Sequence, residues 1–382
     1  MEEGGEVVLN LGAVLRGPEL EVEREVHVEV RDGVVSHIGR GFVPQGRSVV
    51  ELRTGVAIPG LVNAHVHPMD YAIPEAGLDL PLSQLVSWPN GLKHRLLRQA
   101  HDGLLSRASM DVLRKMLRQG VHYSIAFYEL GLRGATVGLE ARREVTVESF
   151  VLARPERVEE VEEVLSLSDG LGLDSPLRYS VEELRRMAKA AREAGGLVAV
   201  HVAEDQASRE RGDLEAALYH LSPDFIVHGT HLSDEDIQEL AERGVSVVVC
   251  PRSNLHFAVG VPPVAKMFEA GINVLVGTDN AGWVEPDLWR ELEALYFISR
   301  LQGRGDPREV LKAACINPAK LSKLDVPKGI EEGERANLLI LDGSALGIER
   351  SSNLHASIVK RGGEVAVLAS IRPKPSSTGR RG

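Results

Sequence analysis

The chain has 382 residues, 43% of them apolar and only 4% aromatic, with a formal net charge of −11. That length and apolar share suit a large core of Val, Leu, Ile and Ala with a smaller appendage. The acidic balance argues against a nucleic-acid or anionic-membrane partner, and no apolar run approaches the ~20 residues that span a bilayer. The acidic start, Met1 to Glu6, does not read as a signal peptide, so a cytoplasmic location is expected. Two cysteines, Cys250 and Cys315, are too few for a disulfide framework and read as buried thiols.

Strand grammar opens the chain. Val7-Val8-Leu9, then Val22 to Val30, then Val34 to Ile38 alternate or run apolar, and Arg31-Asp32-Gly33 is a hairpin turn signal. From about residue 56, short apolar runs alternate with helical stretches. Strands are expected near 56–62, 121–128, 145–152, 169–174, 197–203, 225–229, 245–250 and 272–278. Helix starts are explicit at Ser180-Val181-Glu182-Glu183, a capping box, and at Asp306-Pro307-Arg308-Glu309. Eight strand–helix repeats imply an α/β fold, a (β/α)8 barrel. Strand-like runs return at 336–342, 356–360 and 364–368, with Arg361-Gly362-Gly363 as a turn. Both termini are therefore expected to build one small β-sandwich from residues 1–55 and 331–371, around a barrel of residues 56–330. Residues 372–382, rich in Pro, Ser, Gly and Arg, are expected to be a disordered tail.

Chemistry collects at strand ends. His65-Val66-His67 closes the first barrel run, and side chains two apart on a strand share a face, so both imidazoles can aim at one point. His201, with Glu204 three residues on, follows the 197–200 run. His228-Gly229-Thr230-His231 follows Phe225 to Val227, and Asp279-Asn280 follows the 272–278 run. In a barrel of this kind the C-terminal strand ends carry the active site.

Several motifs resemble the amidohydrolase superfamily, and within it the deaminase and chlorohydrolase branch that includes adenosylhomocysteine, guanine and cytosine deaminases. They are Pro59-Gly60-Leu61-Val62-Asn63-Ala64-His65-Val66-His67, His201-Val202-Ala203-Glu204, His228-Gly229-Thr230-His231, Cys250-Pro251-Arg252-Ser253-Asn254-Leu255 and Gly277-Thr278-Asp279-Asn280. Gly329 to Gly333, followed by Ala336-Asn337-Leu338, fits as well, with Asn337 where the family usually has Asp. The resemblance implies a distorted barrel with a β-sandwich. It also implies that His65, His67, His201 and Asp279 hold one divalent metal, Zn²⁺ ahead of Fe²⁺. Some branches use two metals bridged by a carbamylated lysine on the fourth strand. None stands in Leu171-Gly172-Leu173-Asp174 or between Val145 and Ala153, so one ion is expected.

By the same resemblance, metal-activated hydroxide attacks an sp² carbon, Asp279 serves as ligand and base, His228 orients the nucleophile, and Glu204 protonates a ring nitrogen and helps ammonia leave. His231 and Asn254, with Ser253, are candidates for support or substrate contact. Trp88, His94, Tyr128, Arg154, His256 and Trp283 follow strand ends and are further substrate-binding candidates. The acid that binds ribose in the adenosylhomocysteine branch has no counterpart in Trp88-Pro89-Asn90-Gly91-Leu92-Lys93-His94, which weighs against a nucleoside. The expected activity is deamination of a small amino-heterocycle. Cyclic-amide ring opening or dechlorination would use the same site, and a dead binding barrel is the reading of another class. A homodimer is also among the expectations.

Overall fold

A computed structural model of the chain describes residues 5–46 and 48–373. The expected tail falls almost wholly on residues 374–382, outside the described residues. Contacts divide the chain into two compact units: residues 1–62, 118–122 and 306–382, and residues 63–117 and 123–305.

The first unit carries a six-stranded mixed sheet. Its order is Val367–Ile371, Leu338–Asp342, Val49–Pro59, Glu6–Arg16, Glu21–Arg31, Val34–Arg40. The expected hairpin is present, with Asp32 and Gly33 at φ 53° and 79°, the left-handed pair that a two-residue turn requires. Leu11, Val28, Ile38, Ala57 and Ile340 share one buried cluster, so residues from five of the strands meet in a common core. Near the C-terminus the structure departs from the sequence reading. Residues 356–360 lie in a helix, Leu354–Arg361, and 364–366 form a single 3₁₀ turn before the strand Val367–Ile371. Asn353 decides this locally: its side chain accepts from the Ala356 N–H at 2.9 Å, while Leu354, Ile358 and Val359 bury one face at helical spacing.

The parallel sheet is the barrel. Its strands are Leu61–His67, Val121–Tyr128, Glu148–Ala153, Gly170–Leu173, Leu197–Val202, Phe225–His228, Ser246–Val249 and Val274–Val276. The eighth strand breaks at Gly277-Thr278 and resumes as Asp279–Asn280, which pairs with Val66 and His67 of the first strand. The sheet therefore curls until its last segment meets its first. The first expected strand, 56–62, divides in two. Residues up to Pro59 belong to the six-stranded sheet, and the chain re-enters as Leu61–His67, so the His-Val-His triplet lies within its strand. Both expected helix starts are present: Ser180 and Glu183 form a reciprocal capping box, and Asp306 caps the helix that begins at Pro307. Among the described residues no helix is long and apolar enough to cross a membrane.

Gly60 marks the chain's turn into the barrel. Its N–H donates to the Asn337 carbonyl at 3.2 Å, and Asn337 Oδ1 accepts from His122 Nδ1 at 2.6 Å. A Cβ on Gly60 would overlap both side chains. Gly60→Ala is therefore expected to destabilise the protein by about 2 kcal/mol or more, as clashes in packed interiors do. Chemical denaturation measured beside the wild type checks this.

Candidate active site

Each chemical residue of the barrel sits where a strand ends, and four of those ends adopt left-handed backbone at non-glycine residues. Leu130, Ala203, His228 and Asp279 have φ of 70°, 51°, 74° and 61°. Such conformations cost about 1–3 kcal/mol each and persist only where the surroundings impose them.

The structure brings His65, His67, His201 and Asp279 together. The Nε2 of His201 lies 3.2 Å from that of His65 and 3.3 Å from that of His67. Asp279 Oδ1 is 3.1 Å from His65 Nε2 and 3.4 Å from His67 Nε2. Neighbouring ligands around a tetrahedral ion at 2.0–2.1 Å stand about 3.3 Å apart. The outer faces of the rings fix their tautomers. His201 Nδ1 donates to the Leu173 carbonyl at 2.7 Å, and His67 Nδ1 faces Glu129 Oε1 at 2.9 Å. The Leu173 carbonyl accepts, so the His201 proton sits on Nδ1 and its Nε2 lone pair points inward, and the Glu129 carboxylate beside His67 Nδ1 favours the same tautomer there. His65 has no hydrogen-bond partner at Nδ1, and its ring stands edge-on to Phe127. Burial depresses His65 to about 3 and holds His201 well below the usual imidazole range, so both are neutral at pH 7. The inward Nε2 lone pairs of His67 and His201, 3.3 Å apart, cannot hydrogen-bond each other. A cation among them resolves the conflict, and the donor set fits one divalent ion.

Asp279 is held by its other oxygen. Oδ2 accepts from Ser253 Oγ at 2.5 Å and from Asn280 Nδ2 at 2.8 Å. Burial opposes its ionisation, yet the hydrogen bond from His65 and the nearby imidazoles keep it well below the carboxylate range. His228 Nδ1 donates to Asn254 Oδ1 at 2.9 Å, while Asn254 Nδ2 donates to Thr230 Oγ1 at 2.9 Å. The amide is thereby oriented, and His228 Nε2 is left free, 3.6 Å from Glu204 Oε1 and 4.0 Å from Asp279 Oδ2. Burial raises the Glu204 carboxyl above its ordinary range; His228 pulls it down and Asp279 pushes it up.

His67, His201, Glu204, His228 and Asp279 line one open cavity of about 520 Å³. Of the substrate-binding candidates, His94, Tyr128 and Arg154 also line it. Trp88, His231, Asn254, His256 and Trp283 stand back from it, their groups committed elsewhere. His231 Nε2 bonds the Val259 carbonyl at 2.6 Å, and Trp283 Nε1 bonds the Ala76 carbonyl at 2.9 Å. His256 is exposed against Phe257, and the Trp88 ring is surrounded by Arg98, Arg154 and Arg178.

Sequence reasoning missed a charged cluster beneath the imidazoles. Lys93 Nζ lies 2.8 Å from Asp70 Oδ2, 2.7 Å from Glu129 Oε1 and 3.3 Å from Asn280 Oδ1. All four residues are buried. Glu129 directly follows the strand Val121–Tyr128, so the strand-end rule that found Asp279 reaches it too. Lys93 carried no such signal.

The family model for the amidohydrolase family matches residues 56–370. The chain belongs to the amidohydrolase family. An uncharacterized protein of Methanocaldococcus jannaschii is 34% identical over 352 residues, covering 87% of this chain and 89% of that one. A 5-methylthioadenosine/S-adenosylhomocysteine deaminase of Pyrococcus furiosus is 26% identical over 375 residues, covering 88% and 86%. A zinc-bound adenosine deaminase of Xanthomonas campestris superposes with a TM-score of 0.81 at 22% identity, covering 97% and 93%, and shares the fold. This amidohydrolase is a metal-dependent hydrolase that acts on carbon–nitrogen bonds.

His67 sits between the inward cluster and Glu129, so its removal opens the centre without removing core volume from the barrel wall. His67→Ala is expected to lower metal from about one ion per chain to below about a tenth, with a cooperative unfolding transition retained. Plasma emission and thermal melting of the same sample check it.

Proposed function

We propose that this amidohydrolase deaminates an amino-heterocycle, exchanging an exocyclic amine for the oxygen of water and releasing ammonia. The observation that carries the reading is Glu204, a carboxyl raised by burial and facing His228 and Asp279 across the cavity. In this reading His65, His67, His201 and Asp279 hold one divalent ion, Zn²⁺ ahead of Fe²⁺ given three nitrogens and one oxygen. Such an ion acts as a Lewis acid and brings the pKa of a bound water from about 15.7 toward about 7.

The side chains do the proton work. Glu204, protonated, delivers its proton to a ring nitrogen, which makes the adjacent amine-bearing carbon electrophilic. Asp279 takes a proton from the attacking water at Oδ2, the oxygen that faces His228. His228, with its own proton fixed on Nδ1 by Asn254, offers Nε2 as the acceptor that aligns the water. The proton held on Asp279 then passes to the amine, the carbon–nitrogen bond breaks, and ammonia leaves. The carbon keeps the water oxygen as a carbonyl, and the remaining O–H proton passes to Glu204, which restores the protonated carboxyl for the next turnover.

Ammonia release from purines, pterins, pyrimidines and triazines tests the reading, with product mass as the arbiter. Replacing amine by carbonyl adds about one mass unit, whereas ring opening adds a whole water; the latter without ammonia would sink the deaminase assignment. Glu204→Gln is expected to cost about 10²–10⁴ in kcat while metal content holds. The sign of the pH dependence follows from the shift. Glu204 acts while protonated and its pKa is raised, so wild-type activity falls as pH rises through that value. The residual activity of the Gln variant lacks this fall.

A further inference from the structure

The outward face of the six-stranded sheet brings three metal-binding side chains to one spot. Val26, Val28 and Ile38 point into the buried cluster, so His27, Glu29, His37 and Gly39 point the other way. The register sets His27 opposite Gly39 and Glu29 opposite His37. The two imidazoles are therefore diagonal neighbours, with ring centroids 5.6 Å apart, and Glu29 Oε1 lies 4.0 Å from His27 Nε2. Gly39 supplies the room. A Cβ there would overlap the Cε1–Nε2 edge of His27 and stand 3.0 Å from His37 Nε2, so both nitrogens border the same gap.

The outer nitrogens are committed elsewhere. His27 Nδ1 donates to the Gly41 carbonyl at 2.9 Å. His37 Nδ1 faces Glu332 Oε1 at 3.0 Å, and that oxygen also accepts from the Ile38 N–H at 2.9 Å. The Ile38 hydrogen bond, with the His37 ring beside it, holds Glu332 below its ordinary range, so it is a carboxylate at neutral pH. A carbonyl behind one ring and a carboxylate behind the other favour the tautomer that leaves each Nε2 as a lone pair. His201 and His67 in the barrel have the same backing, from Leu173 and Glu129. Two imidazole nitrogens and one carboxylate oxygen suit a borderline transition ion, whereas Mg²⁺ and Ca²⁺ take oxygen ligands.

The place in the sheet gives such an ion a task. Val34–Arg40 is an edge strand, next to Glu21–Arg31. An ion shared by His37 and His27 ties the edge strand to that neighbour. We propose that His27, His37 and Glu29 form a second metal site, for a divalent transition ion of the Zn²⁺ type, that staples the edge of the sheet. The site is independent of the deaminase reading.

The test uses the whole chain with its barrel ion retained through gel filtration. Titrated with Zn²⁺ against a chromophoric chelator, it is expected to take one further ion with a Kd of about 1–10 µM. Amide exchange across residues 34–40, followed by mass spectrometry, should slow by about tenfold once that ion is bound. His27→Ala and His37→Ala should each weaken the second binding by about 100-fold and abolish the slowing, and Glu29→Gln should weaken it by about tenfold, with the first ion kept in all three. His37 is half exposed, so its variant carries the test even if removal of His27 disturbs the hairpin. A wild type that takes no further ion below about 100 µM overturns the proposal. So does a second ion that survives in both histidine variants, since it would lie on other side chains. Binding without slower exchange overturns the staple.

Discussion

Three imidazole nitrogens and a carboxylate oxygen, with separations of 3.1 to 3.4 Å between partners, make a centre that repels itself unless a cation lies within it. The neighbouring contacts are arranged to present those lone pairs inward. Leu173 holds the proton on the outer nitrogen of His201, and Glu129 favours one on that of His67. Burial keeps the His65 and His201 rings neutral. Charge tells the same story. Asp70, Glu129 and Asp279 are buried carboxylates, and Lys93 is the buried ammonium among them. Asp279 is ion-paired to no Lys or Arg among the described residues, only to imidazoles, and a low-dielectric interior does not tolerate such an unpaired charge. A divalent ion balances it.

Holding two of these ligands at hydrogen-bond distance is the task of the seam where the barrel closes. His65 and Asp279 are 214 residues apart, on the first strand and on the resumed eighth. Asn63 bridges the seam with both ends of its amide: Nδ2 donates to Thr278 Oγ1 at 2.8 Å, and Oδ1 accepts from the Thr278 N–H at 3.2 Å. Gly277 lets the backbones close, since a Cβ there would press on the main chain of His65. The interruption that splits the last strand is therefore what turns Asp279 toward the imidazoles, at the expense of a left-handed residue.

Much of this was legible in the sequence, because it depends on local rules. Apolar runs ending in His or Asp placed the inward groups, and the Asp32-Gly33 turn and the Ser180 box were written in a few adjacent letters. What escaped was settled by tertiary contact. Asp70 and Lys93 sit on a short 3₁₀ turn and a helix with nothing local to mark them as buried partners. Asn254 followed a strand end and read as a residue for support or for substrate contact; its two hydrogen bonds run to His228 and Thr230. Ser357-Ile358-Val359 has strand composition but is wound into a helix by the Asn353 cap and by the burial of one face.

The Asp70–Lys93–Glu129 cluster shows that not every buried ion pair serves stability. Burial raises Asp70 from 3.8 to about 6, although Lys93 draws it down. A carboxyl whose pKa is higher in the folded state than in the unfolded chain binds its proton more tightly when folded. Its contribution to stability is therefore lost as pH rises from about 4 to about 6, and at neutral pH the ionised group opposes folding. Glu129 moves the other way: Lys93 and His67 overcome its burial and keep it well below the carboxylate range. The asymmetry has a use. Lys93 is anchored by one reluctant carboxylate and held against one willing one, and the willing one faces His67 Nδ1. An apolar trio of equal volume would fold at least as well, but it would leave that imidazole free to choose its tautomer and its angle.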